Sequence, residues 1–348
     1  MLVVIFVAAA GAIWLAGVKL SDTTDVLSTR LGMGEALGGL ILLALATNLP
    51  EIAITASAAL AHNLGIAIGN ILGGIAIQTV VLVVLDAFGV KGERSLTYRA
   101  ASLELVLEAG LVIAVLVVSV AGSRLPGSLI AFRVAPAGFV IAVLWVSGLF
   151  LLKRAGQGLP WHESGQAPDG QRPPRGHAEK QKEKQASDND VSTARTALVF
   201  GVAAVVTLVA GVVLERSGDA MSRHIGLSGV LFGATVLAAA TSLPELSTGL
   251  TSVKLGDYQL AMSDIFGGNA FLPVLFLFAS LLSGSAVLPQ AQDTDVYLTA
   301  LGALLTVVYL VGLIFRPNRR IAGMGPDSLA VLVLYLLGIA GLVAIART

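Results

Sequence analysis

A glutamate that follows Leu-Pro inside an apolar run is a rare choice, and this 348-residue chain makes it twice. Ala46-Thr47-Asn48-Leu49-Pro50-Glu51 returns in the second half as Ala240-Thr241-Ser242-Leu243-Pro244-Glu245. A carboxylate at mid-bilayer costs roughly 2.5–3.5 kcal/mol on insertion scales, so a duplicated one implies use. Proline has no N–H, which frees the carbonyl one turn earlier to face a cation. Two facing carboxylates in a medium of low dielectric cannot both stay ionised without a counter-charge, and a divalent cation supplies one. Calcium takes about six to eight oxygens in a flexible cage, which carboxylates and freed carbonyls can provide. Thr47, Asn48, Thr241 and Ser242, one turn before the glutamates, offer hydroxyl, amide and backbone oxygens. The bland role for such hydroxyls is a bond back to the carbonyl four residues earlier.

A second pair of stretches accompanies the first. Gly69-Asn70-Ile71-Leu72-Gly73-Gly74-Ile75-Ala76-Ile77-Gln78 corresponds to Ser263-Asp264-Ile265-Phe266-Gly267-Gly268-Asn269-Ala270-Phe271-Leu272. The glycine pairs permit close helix approach. Asn70, Gln78, Asp264 and Asn269 are polar groups at a depth where every one needs a partner. Asp264, Gly268 and Leu272 are spaced one turn apart and share a helix face, which places Asp264 on the ion pathway. Asp86, Glu104 and Glu108 fall near the ends of apolar runs and are expected to meet water or a basic neighbour. The four histidines fall in loops, and Asp188-Asn189-Asp190 lacks the glycine and final glutamate of a calcium loop. With no cysteine, no P-loop, no Gly-x-Ser-x-Gly and no zinc spacing, neither an enzyme nor a resident cofactor is expected.

The elements that must hold these groups are membrane helices. The chain is 55% hydrophobic and 13% charged, with a mean hydropathy of +0.85, which excludes an ordinary soluble domain and a disordered one. Runs long enough to span a bilayer fall at about Leu2–Leu20, Met33–Leu60, Leu64–Phe88, Ala100–Ala121 and Leu129–Leu152. They resume at Thr196–Leu214, Gly226–Val253, Tyr258–Leu282, Val296–Phe315 and Ser328–Ile345. The first run lacks a basic leader and reads as a span, not a cleaved signal. An all-α polytopic protein of ten transmembrane helices follows, with five-helix repeats at 1–152 and 196–348. The polar linker between them, 153–195, has a disordered composition.

An odd number of spans per half makes the repeats inverted. Sliding Gly39–Asp86 onto Gly233–Ser280 without a gap gives 14 identities in 48 positions. Of the 22 Lys and Arg, 17 fall on the inner side if both termini lie outside, so the positive-inside rule favours that orientation. The expected setting is the plasma (inner) membrane. The expected partners are lipid and inorganic cations, with no nucleic acid; nothing in the sequence fixes the oligomeric state.

The doubled Thr-[Ser/Asn]-Leu-Pro-Glu, followed by Gly-[Asn/Asp] or its equivalent and a Gly-Gly, resembles the two α-repeats of the cation/calcium antiporter superfamily. The nearest resemblance is to prokaryotic sodium/calcium exchanger membrane proteins. It covers the ten-span plan, with the motifs confined to about Gly39–Asp86 and Gly233–Leu282. The resemblance implies that Glu51 and Glu245 bind Ca²⁺ and Na⁺ in turn at the membrane centre, with Thr47, Asn48, Thr241 and Ser242 adding oxygens. A proton-coupled Ca²⁺ exchanger is the alternative; a channel or ion sensor is further away. The chain departs from the family pattern where Gly74 and Gly268 replace serines, Ile75 an asparagine, and Leu272 a polar residue. Asp264 is expected to take over the missing carboxylate. A linker of about forty residues also leaves no room for the folded regulatory domains of animal exchangers.

Overall fold

The computed structural model describes residues 1–30, 45–155, 192–226 and 229–346. Most of the linker, the start of the span expected at Met33 and the repeat identities at Gly39, Leu43 and Ala44 lie outside them. Among the described residues the chain is helical apart from turns and two isolated bridges, Ala131–Val134 and Ile321–Met324. Eight segments among the described residues are long and apolar enough to cross a membrane. In chain order the first half gives α1 (Leu2–Arg30), α2 (Leu49–Leu60), α3 (Leu64–Val84), α4 (Leu96–Ala100), α5 (Leu103–Ser123) and α6 (Pro136–Ala155). The second half begins with α7 (Thr193–Ile225), α8 (Gly229–Phe232), α9 (Ala238–Thr241) and α10 (Leu243–Leu255). It continues with α11 (Tyr258–Phe271), α12 (Leu275–Ser283), α13 (Asp293–Phe315) and α14 (Pro326–Ile345).

The segments that carry Leu-Pro-Glu are the ones that fall short of a full span, and the proline is the reason. Asn48 (φ −88°, ψ 10°) and Ser242 (φ −81°, ψ 3°) leave helical geometry just before α2 and α10, where Pro50 and Pro244 sit in the first turn. Neither proline can donate to the carbonyl four residues earlier, at Ala46 and Ala240. Upstream of α9 the chain also widens into a π-turn at Gly233–Leu237, a second local break in the helix.

Close packing of the two halves rests on small residues. A β-carbon on Gly17 of α1 would lie 2.8 Å from Pro244, and one on Gly211 of α7 would lie 2.8 Å from Ala53 and 3.2 Å from the carbonyl oxygen of Pro50. Gly73 lies so close to the backbone of Ala234 that a β-carbon would overlap it, and Gly233 meets the backbone of Asn70. Gly17 corresponds to Gly211 by the same offset that relates Pro50 to Pro244, so one contact between halves recurs with the halves exchanged. Further along, Gly148 receives Leu111 as Gly338 receives Leu301, and the two bridges share the offset of these glycines. Ile71, Ile75, Met262, Ile265 and Phe266 of α3 and α11 form the centre of a dry core. Large apolar side chains such as Phe150, Val205 and Leu336 stand exposed on α6, α7 and α14. That surface suits hydrocarbon, and the protein is integral to a membrane.

Candidate cation site

Burial of the twin glutamates is near complete: Glu51 is 0% exposed and Glu245 1%. Among the described residues, no hydrogen bond reaches any of their four carboxylate oxygens. Their charges are close enough to act on one another, and Asp264 is close enough to act on Glu245. The Thr241 side chain lies beside the Glu51 carboxylate, so the second half reaches the acid of the first. A buried, unpaired carboxylate is among the least favourable groups a protein interior can hold. Two of them within reach of each other make a strong attractor for positive charge.

The hydroxyls take up the bland bonds and keep their lone pairs. Thr241 and Ser242 donate to the carbonyl of Ala238 at 3.2 and 2.8 Å. A hydroxyl whose proton is held by a carbonyl presents only oxygen to whatever lies on its other side. Thr47 and Asn48 are buried beside the break in the first half. A β-carbon on Gly268 would lie 3.2 Å from Nδ2 of Asn48 and 3.4 Å from Oε1 of Gln78. Asn48 and Gln78 of the first half thus meet Gly268 of the second. Both polar atoms of the Gln78 amide and both of Asn70 are buried without a partner among the described residues.

The corresponding place in the other half is dry. A β-carbon on Gly74 would touch Cδ1 of Leu272 at 3.4 Å, and Leu272 is fully buried. Asn269 spans the junction, with Nδ2 donating to Thr79 Oγ1 at 3.2 Å and to the carbonyl of Ile75 at 3.4 Å. Ile75 is its own counterpart in the first half, so the bond joins equivalent points of the halves. Asp264 accepts from Thr248 Oγ1 at 2.7 Å through one oxygen, while the other has no partner. Among the described residues, no group of three His, Cys, Asp or Glu stands at metal-ligating separation. A cation here would rely on hydroxyl, amide and carbonyl oxygens as well as on acids.

Two expectations fail. The Asp86 carboxylate meets neither water nor a basic side chain: it is buried and accepts from the N–H of Leu96 (2.9 Å), the N–H of Gly325 (2.7 Å) and Ser328 Oγ (2.7 Å), while Arg320 donates only to its backbone carbonyl. The starts of α4 and α14 close over this end of the run, through Leu96, Gly325 and Ser328. Glu108 is 6% exposed and accepts from Ser263 Oγ at 2.8 Å, because α11 packs across its face. Position along the helix gives the depth of both acids but not what covers them. His62 and His224 are exposed at helix ends; His162, His177 and Asp188-Asn189-Asp190 lie outside the described residues.

Comparison with known proteins identifies the fold and the family. Escherichia coli (strain K12) has an inner membrane protein, YrbG, that is 26% identical over 309 residues, 85% of this chain and 82% of that protein. The crystal structure of the H⁺/Ca²⁺ exchanger CAX superposes with a TM-score of 0.69 at 13% identity, over 99% of this chain and 85% of its own. A structure of the sodium-calcium exchanger NCX_Mj gives 0.59 at 17% identity, over 98% of both chains. These structures share the fold. The model of the sodium/calcium exchanger protein family matches residues 1–154 and 195–344, and the chain belongs to that family of transporters.

Proposed function

We propose that this protein is a secondary antiporter that moves Ca²⁺ across the membrane in exchange for a monovalent cation, at a site centred on Glu51 and Glu245. The observation that carries the reading is the pair of buried carboxylates, one from each half, with no hydrogen bond to either among the described residues. Thr47, Asn48, Thr241 and Ser242 supply neutral oxygens, with Asn70, Gln78 and Asn269 beside them, and Asp264 adds charge next to Glu245. Ca²⁺ cancels the charge of the two glutamates; so do two monovalent ions. An empty site holds two facing negative charges and resists the dehydration that a conformational switch requires, which couples the two fluxes.

In this reading the halves 1–152 and 196–348 are inverted repeats of five spans each, joined by an internal linker at 153–195, with both termini outside. The Gly–Pro contacts, repeated with the halves exchanged, support it. The setting is the inner membrane, as the name of the E. coli relative gives for that protein. Alternating access carries the broken helices past the α1–α7 pair, exposing the site to each side in turn.

Sodium is the counter-ion that family resemblance implies. A specific observation favours protons: the place where a second acid would complete a sodium cage is occupied by Leu272 against Gly74. Hydrocarbon cannot ligate Na⁺, whereas the glutamates can take protons unaided. Proteoliposomes loaded with Ca²⁺ and subjected to either a sodium or a pH gradient decide between them. Flux in wild type and its loss in Glu51→Gln and Glu245→Gln is the expected result. Full flux in either variant removes the site.

A further inference from the structure

Glu108 lies outside the site described above, and its surroundings have a chemistry of their own. It sits on α5, five residues after Leu103, or about 8 Å along the helix. The Arg99 guanidinium donates to the Tyr258 hydroxyl at 3.0 Å, which puts the starts of α5 and α11 at one end of the bundle. Glu108 is therefore placed between that end and the central pair. Its Oε1 accepts from Ser263 at 2.8 Å, and its Oε2 is buried with no partner. Ser263 is next to Asp264, whose bond to Thr248 leads to α10 and Glu245.

Among the described residues no cation compensates this acid. Glu104, one turn earlier on α5, is the charged group whose field reaches it. The helices packed on α5 offer nothing basic at that level. On α6, Lys153 and Arg154 stand exposed at the helix end. On α13, Tyr309 is bonded to Ser328, Arg316 beyond its end donates to the Tyr98 carbonyl, and Asp293, Asp295 and Tyr297 lie at the far end. From α11 come Ser263, Asp264 and Tyr258; the short turns at Leu272–Val274 and Leu288–Gln290 carry no titratable group.

The ligand follows from counting oxygens. A sodium or calcium ion needs several, and Glu108 has one hydroxyl partner. A single proton needs one lone pair, and Oε2 has that. We infer that Glu108 is a proton-binding residue that links Ca²⁺ exchange to protons arriving from the end of the bundle where α5 and α11 begin. Water at that end delivers the proton to Oε2, giving a neutral carboxylic acid. From Glu108 the proton passes by way of the central carboxylates and leaves to water on the opposite side of the membrane when Ca²⁺ from that side reoccupies them. The inference rests on the exchange reading above and assigns its counter-ion a stopping point outside the central pair.

The experiment compares two fluxes in the same proteoliposomes. Self-exchange of labelled for unlabelled Ca²⁺ needs no counter-ion; Ca²⁺ flux driven by a pH gradient does. Glu108→Gln is expected to leave self-exchange within about twofold while lowering driven flux by about 5- to 150-fold, the span of ordinary coupling between two sites. Its driven flux should also lose its dependence on pH, and Glu108→Asp should restore both. Equal loss of the two fluxes in Glu108→Gln means a packing role and overturns the inference, as does driven flux that stays normal and pH-dependent. Ser263→Ala, which keeps the fold of α11, should shift the pH profile without affecting self-exchange; an unmoved profile counts against the relay. Absence of self-exchange in wild type would instead remove the exchange reading itself.

Discussion

The two halves of the candidate site are built from corresponding residues and are not alike. At Gly268 the neighbours are the amides of Asn48 and Gln78; at Gly74, its counterpart in the first half, the neighbour is a methyl group of Leu272. At these two matched positions the first half offers amides and the second offers hydrocarbon. Matched sequence and recurring contacts therefore supply the frame and the paired glutamates, while the chemistry around Gly268 and Gly74 is one-sided. A site with a single wet flank suits one divalent ion, or protons on the carboxylates, better than several alkali ions side by side.

The largest test of that contrast removes what the halves share. Glu51→Gln and Glu245→Gln should each lower Ca²⁺ exchange by about two orders of magnitude, near 3 kcal/mol at tenfold per 1.4 kcal/mol. A difference of more than tenfold between them, measured as initial Ca²⁺ flux, would show that one half dominates. Asp264→Asn comes next, with an expected loss of roughly tenfold if that acid adds charge beside Glu245. Near-normal flux in this variant would return the second half to a single carboxylate. Leu272→Asn is designed to wet the dry flank. Sodium-driven Ca²⁺ flux should rise several-fold, within the ordinary range of coupling between sites, and no rise would mean that the hydrocarbon is not what excludes Na⁺. The smallest effect is expected from Gln78→Leu, which dries the wet flank. Removing one neutral partner among several costs about 0.5 kcal/mol, the low end for a hydrogen bond, seen as an apparent Ca²⁺ affinity weaker by about twofold at unchanged maximal flux.

Legibility in the sequence follows the local strength of each signal. Pro50 and Glu51 contradict their apolar surroundings, so the break and the acid can be read without a structure. The polar stretches at Asn70–Gln78 and Asp264–Asn269 can be read for the same reason. Asp86 and Glu108 cannot, since hydropathy measures distance along a helix and says nothing of the helix packed against it. Only the fold sets Ser263 against Glu108 and the N–H groups of Leu96 and Gly325 against Asp86. Hydropathy also misjudges helix length. The apolar run ends near Leu20, yet α1 continues to Arg30, because a helix needs no hydrocarbon around it to keep its own hydrogen bonds. The contrast between Gly268 and Gly74 is half visible: the residue types are plain, but their neighbours belong to the other half of the chain.

Gly17 and Gly211 carry a consequence for speed. Each lies where a long helix crosses the proline of the opposite half, and neither has a side chain at the crossing. In the proposed alternating-access cycle, a smooth crossing of this kind would lack the teeth that interlocking side chains provide and would let the helix pair glide along its track. Adding a methyl group at either glycine would install a detent, and the transporter would dwell longer at each end of its stroke while gripping its ions as tightly as before.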